Sequence, residues 1–179
     1  MQADYNNLEK LAKEKEDENW EFRKFLKFFD ELSDDELDEL VSKLADKYES
    51  KIECTSCGRC CKGLKPTLSE KDQLRLAKSL GITVEQLKDQ YLEYDNDKDE
   101  PGWQIKDAPC PFLKDNKCAV YESRPDDCRG YPYLHEEGFS YRTMGMIERT
   151  FTCPIVFNVM EELKEEVAFD ADDVGYDYW

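Results

Sequence analysis

At 179 residues, with 40% hydrophobic and 12% aromatic content, the chain has enough apolar material to bury a core, which argues against an intrinsically disordered protein. Its 42 acidic against 25 basic residues give a net charge of −17, a field that repels nucleic acid and anionic membrane surfaces and favours basic protein partners. No apolar run approaches the roughly eighteen residues of a membrane span, and Met1-Gln2-Ala3-Asp4-Tyr5-Asn6-Asn7 lacks the basic start and apolar core of a signal peptide. The expectation is a cytoplasmic protein whose thiols meet a reducing compartment and favour metals over disulfides.

Residues 4–30 carry Leu8, Leu11, Phe22, Phe25, Leu26 and Phe29 at helical spacing, with Lys15 and Asn19 interrupting the stripe. Ser33 and Glu36 form a capping box opening the next helix, whose apolar positions Leu37, Leu40, Val41, Leu44, Ala45 and Tyr48 follow i, i+3, i+4, i+7. Residues 1–50 are therefore expected to form a charged αα-hairpin. Composition changes at Lys51, where cysteines, glycines and the basic residues Lys51, Arg59, Lys62 and Lys65 make a positive island. Ser69 is expected to cap a helix that ends at Gly81, and Thr83 with Gln86 to open a shorter one carrying Val84, Leu87, Tyr91 and Leu92.

Tyr94 to Gly102 is acidic, ends in Pro-Gly and reads as an exposed loop. Trp103–Lys106 reads as a short strand, and Cys110–Leu113 with Cys118–Tyr121 as two strands joined by a polar turn. The stretch from Arg124 to Phe139 holds two prolines and is expected to be irregular, and Phe139–Met146 is expected to be a further strand. After Cys153-Pro154, the positions Val156, Val159, Met160, Leu163 and Val167 predict a last helix. The resulting class is α+β: a helix-rich small domain over residues 51–168, with a few short strands and irregular cysteine-rich loops organised around metal. The αα-hairpin precedes it, and an acidic tail, 169–179, follows.

The cysteines stand at 54, 57, 60, 61, 110, 118, 128 and 153. A C-x-x-C step brings two thiolates to one metal because the intervening turn folds back on itself, so the overlapping steps Cys54, Cys57 and Cys60 bring three. This run resembles the start of a ferredoxin ligand set. Side chains of adjacent residues usually diverge, so Cys61 is expected to face a second centre or the core rather than share one zinc with Cys60. Cys128 is the expected fourth ligand, because Arg124 and Arg129 suit an anionic centre; Cys61, Cys110, Cys118 and Cys153 would form a second site or complete a larger one. The even count also allows a disulfide scaffold, but the density of the first cluster and the adequate core oppose it. The spacing fits zinc and iron–sulfur alike: the triple run tilts toward iron–sulfur, the division into two sets of four back toward zinc. His135, the single histidine, is left outside the site, because eight thiols already supply enough ligands.

The order Cys54-x-x-Cys57-Gly58-x-Cys60-Cys61, Cys110-Pro111-Phe112-Leu113, Cys118-x-Val120-Tyr121-Glu122-x-Arg124-Pro125-x-x-Cys128-Arg129-x-Tyr131-Pro132 resembles the YkgJ-type cysteine-cluster family, from about Cys54 to Pro154. That resemblance implies chelation of zinc or iron by the eight cysteines. It extends more distantly to the flagellin lysine N-methylases, which implies, as an alternative, an iron–sulfur metalloenzyme using S-adenosylmethionine. This chain has no G-x-G-x-x-G loop to match such a cofactor. Three functions are carried forward: a metal-chelating binding module with an unidentified partner, a metalloenzyme, and an intracellular metal carrier.

Overall fold

A computed structural model describes residues 7–96 and 101–171, without the side chains of Thr55 and Ser56. In chain order the elements are α1 (Leu8–Glu14), α2 (Glu16–Phe28), α3 (Asp34–Glu49), α4 (Cys54–Cys57), α5 (Arg59–Gly63), α6 (Glu70–Leu80), α7 (Val84–Tyr91), β1 (Leu92–Asp95), β2 (Gly102–Ile105), β3 (Leu113–Lys114), β4 (Lys117–Cys118), a 3-10 turn (Tyr121–Ser123), α8 (Asp126–Gly130), α9 (Phe139–Thr150) and α10 (Pro154–Glu166). The α+β class is observed, dominated by helix. Part of the expected acidic loop, 97–100, most of the acidic tail, 172–179, and residues 1–6 lie outside the described residues. Among the described residues no helix is long and apolar enough to cross a membrane.

The chain divides into two compact units: Met1–Glu53 with Pro132–Trp179, and Cys54–Tyr131. The first is a helical bundle in which α3 packs against α10 and α9, and α2 against α9. The expected break at Lys51 lies close to this boundary. The sequence reading grouped residues 154–168 with the cysteines, whereas by contact α10 belongs with α3, because Ile155, Val156, Val159, Met160 and Leu163 bury an apolar face in the bundle. The first helical stretch breaks at Lys15, which leaves helical geometry at φ −99°, ψ 0°. Phe169, at the start of the expected tail, closes on Phe22 and Phe25 with ring centroids 5.0 and 5.3 Å apart.

Asn19 is 1% exposed on α2, and neither its amide nitrogen nor its oxygen has a hydrogen-bond partner. An unsatisfied buried amide costs about 1–3 kcal/mol. Asn19→Leu is therefore expected to stabilise the protein by about 1 kcal/mol, raising the thermal midpoint by roughly 2–4 °C. A lowered midpoint would instead mean that an internal water bridges the amide.

One element differs in kind from the sequence reading. Phe139–Met146, expected as a strand, is the first part of α9. The buried positions Phe139, Ser140, Thr143, Met146, Ile147 and Thr150 follow helical spacing, but three of them are hydroxyl residues. Two of those hydroxyls turn back on their own helix: Thr143 Oγ1 donates to the Ser140 carbonyl at 3.0 Å and Thr150 Oγ1 to that of Ile147 at 2.6 Å. They are satisfied without water and can sit in the core. Burying Phe139, Met146 and Ile147 is worth about 1.5–3 kcal/mol each, which outweighs the weak strand preference of the segment. The helix has no cap of its own. Its N-terminus is held by Asp38 of α3, whose carboxylate accepts from the backbone N–H of Gly138 (2.6 Å) and Phe139 (2.9 Å).

The second unit is built on α6, α7 and two antiparallel hairpins, β1–β2 and β3–β4. The expected cap at Ser69 forms and is a full capping box closed by Asp72, and the expected box at Thr83 is closed by Gln86. Pro66–Leu68 runs along β2, with Ile105 N–H on the Pro66 carbonyl (3.1 Å) and Leu68 N–H on that of Trp103 (2.7 Å). Leu68, Leu76, Ala77, Leu87, Leu92, Ile105, Phe112 and Val120 form the core, with Cys110 and Cys118 packed at its edge. The β3–β4 turn places Asp115 and Asn116 at φ 50° and 61°, the paired positive values of a type I′ hairpin.

Candidate metal centre

Seven of the eight cysteines belong to the second unit, and none of the eight is joined in a disulfide. Cys54 and Cys57 lie on α4, a single turn that packs against β4. Gly58 then takes a left-handed conformation (φ 59°) beside Asn116 of the β3–β4 turn. Glycine alone takes this conformation without cost, and any side chain there would be strained by the backbone rather than by lack of space. The turn delivers Cys60 and Cys61 on α5. Their sulfurs stand 4.0 Å apart, so these neighbours diverge less than adjacent residues usually do.

Cys110 is tied to the same loop by its N–H on the Cys61 carbonyl at 2.7 Å. Cys118 sits on β4 opposite Leu113, three residues after Cys110 has turned into β3. Cys128 rides on α8, a one-turn helix within the stretch expected to be irregular. That helix lacks a side-chain cap of its own and is clamped from outside. The Asp72 carboxylate accepts from the Asp126 N–H (3.0 Å), Arg75 donates to the Arg124 carbonyl (2.9 Å) and to the Asp126 carboxylate (2.7 Å), and the Asp127 carboxylate accepts from Thr67 N–H (2.9 Å) and Oγ1 (3.2 Å). Asp126 and Asp127 thus serve in fixing the turn that carries Cys128. Thr67, Asp72 and Arg75 have no local signature of this role and were not singled out.

The thiols sense one another. Hydrogen bonding from Cys60 lowers the Cys61 thiol to about 7, against the opposing effect of burial and with help from Lys62. Burial first, and then the charge of Cys61, raise the thiols of Cys110 and Cys118; for Cys118 the Arg124 guanidinium pulls the other way. Burial and the charges of Cys61, Asp127, Cys110 and Cys118 push Cys128 up to about 12. Cys61, Cys110, Cys118 and Cys128 therefore lie within electrostatic reach of one another. Of the basic residues expected to offset an anionic centre, Lys62 and Arg124 act on thiols. Lys65 instead pairs with Glu93 (2.9 Å), and Arg129 donates to the Arg124 carbonyl (3.1 Å) and to that of Glu122.

Three thiols that feel the charge of Cys61, with two cations beside them, suit a thiophilic metal, since such a metal replaces their protons and removes the repulsion between them. Among the described residues no three cysteine sulfurs lie within 4.8 Å of one another. Cys153 lies in the first unit, 6% exposed, as the residue before α10, with its N–H on the Arg149 carbonyl (2.7 Å).

A cysteine-rich turn, a thiol-bearing hairpin and a clamped helical turn define a metal-chelating cysteine-cluster domain. The chain belongs to the CxxCxxCC family, described as a "putative zinc- or iron-chelating domain", whose model matches residues 53–153 and so contains all eight cysteines. The uncharacterized protein MJ0661 of Methanocaldococcus jannaschii is 34% identical over 86 residues, 45% of this chain and 43% of its own length, so the chain spans less than half of that relative. No solved structure matches the chain.

Proposed function

We propose that the protein is a metal-chelating module whose centre is an iron–sulfur cluster held by Cys61, Cys110, Cys118 and Cys128. The observation that carries this reading is that Cys110 is tied to the Cys61 loop by its backbone N–H and that Cys110, Cys118 and Cys128 all feel the charge of Cys61. A cluster of several irons spans more space than a single ion and takes four thiolates. Cys54, Cys57 and Cys60, on the turn that leads into Cys61, are candidate ligands of a second metal, and Cys153 belongs to the first unit. When bound, such a centre supplies cross-links among the Cys61 turn, the β3–β4 hairpin and α8. The module role is proposed ahead of an enzyme because the net charge of −17 suits a basic protein partner.

Anaerobic purification of the full chain, with iron, zinc and acid-labile sulfide measured alongside the visible spectrum, tests this. A brown protein with iron and sulfide in matching amounts is expected. A colourless protein with one or two zinc ions would overturn the cluster and leave chelation standing. Reduced, folded protein without any metal would overturn both.

A further inference from the structure

Asp46, Glu49 and His135 lie in the first unit, and a ligand atom from each falls within 4.8 Å of the other two, the one such group of three among the described residues. We infer that these residues bind a hydrated first-row divalent ion through one imidazole nitrogen and two carboxylate oxygens, independently of the thiol centre. The donors come from two places. Ser42, Asp46 and Glu49 stand at i, i+4 and i+7 on α3 and so share one face. His135, on the segment leading into α9, is the single histidine of the chain.

The ring is oriented from behind. Its Nδ1 is 3.0 Å from Ser42 Oγ, and its Nε2 is 3.3 Å from both oxygens of Glu49. When Nδ1–H donates to the serine, a neutral imidazole turns the lone pair of Nε2 toward the carboxylate. Lone pair against carboxylate is repulsive until a cation sits between them. Partners of this kind, which fix ring and tautomer, are what metal-binding histidines use.

Position on the helix adds to the argument. Asp46 and Glu49 occupy the last turn of α3, where the helix dipole is negative and carboxylates are unfavourable. A cation bound there reverses that cost. The neighbouring lysines are engaged elsewhere: Lys43 faces Glu39 at 3.8 Å, Lys47 pairs with Glu162, and Lys51 lies over the Tyr48 ring. Imidazole with carboxylates suits borderline ions such as Mn(II), Fe(II) or Zn(II), and the exposure of all three residues leaves room for water to complete the shell.

Mn(II) is the probe, because it seeks oxygen and nitrogen donors and competes poorly for thiolates. It is added at pH 7.5 to the full chain with its native metal in place, and the imidazole proton signals of His135, unique in this protein, are followed by NMR. His135 is expected to broaden at a small fraction of an equivalent, before signals elsewhere on the acidic surface. In a D46N/E49Q variant at least tenfold more Mn(II) should be needed, and in S42A several-fold more. A charge-matched control, D35N/E39Q, should behave as wild type. Broadening of His135 in step with the whole acidic surface, or equally in D46N/E49Q and in wild type, would overturn the inference and leave an ordinary imidazole–carboxylate pair. The wild-type titration decides this even if a variant does not fold.

Discussion

Serine at Cys128 or at Cys110 is expected to reduce bound metal to below about a tenth of the wild-type content, whereas serine at Cys57 should leave more than half. The ordering follows from where each thiol sits. Cys110 and Cys128 lie within the charge-coupled quartet, half-buried, with their backbones tied to the Cys61 loop and to the Asp72, Arg75 and Thr67 clamp. A thiolate site worth on the order of 10–16 kcal/mol cannot keep its affinity with one of four ligands replaced by a hydroxyl. The same two substitutions should lower the thermal midpoint, because metal binding by cysteines that come together only in the fold is itself folding energy. Metal per chain, measured on anaerobically purified variants, gives the answer. If C57S empties the protein while C110S keeps its metal, the ligands are those of the C-x-x-C-x-x-C run and the quartet is wrong.

Alkylation of the metal-free, reduced chain should separate its thiols by reactivity. Cys61, lowered to about 7 by the hydrogen bond from Cys60, should react with iodoacetamide in a rising curve that levels above neutral pH. Cys128, pushed up to about 12 by burial and by the charges around it, should remain protonated across the same range. At pH 8 the thiolate fractions differ by roughly 10⁴, and the lower intrinsic nucleophilicity of the more acidic thiol returns about 10² of that. The expected rate ratio is therefore about 30- to 100-fold in favour of Cys61, read from modified peptides by mass spectrometry under conditions where circular dichroism shows the helices intact. Equal rates at the two positions would mean that the thiols do not share one electrostatic environment. Adding back the metal should protect both.

These two experiments bear on a part of the site that local pattern reported incompletely. Density along the chain drew attention to Cys54, Cys57 and Cys60, because three sulfurs on overlapping turns stand out in sequence. The charge of Cys61, whose thiol is bonded to that of Cys60, also reaches Cys110, Cys118 and Cys128, spread over more than sixty positions. Their proximity depends on long-range links such as Cys110 N–H to the Cys61 carbonyl, and on the side chains that clamp α8 from α6 and from Thr67. No spacing rule encodes those links. His135 shows the same thing from the other side: set aside as a lone histidine, it meets two carboxylates of α3 some ninety residues earlier in the chain.

What the sequence alone determined is whatever depends on neighbours within a few residues: the helix caps at Ser33, Ser69 and Thr83, the polar turn between β3 and β4, and membership of a chelating cysteine family. The tertiary structure decided what depends on distant partners. Phe139–Met146 is expected from sequence as a strand, yet folds as a helix because Asp38, a hundred residues away, caps it and because its buried hydroxyls bond to their own backbone. Likewise α10 follows the last cysteine in sequence but packs on α3, since its apolar face is matched there. Short-range hydrogen bonding and backbone geometry are written in adjacent residues; caps, clamps and coupled thiols supplied from across the fold exist only once burial has brought their partners together.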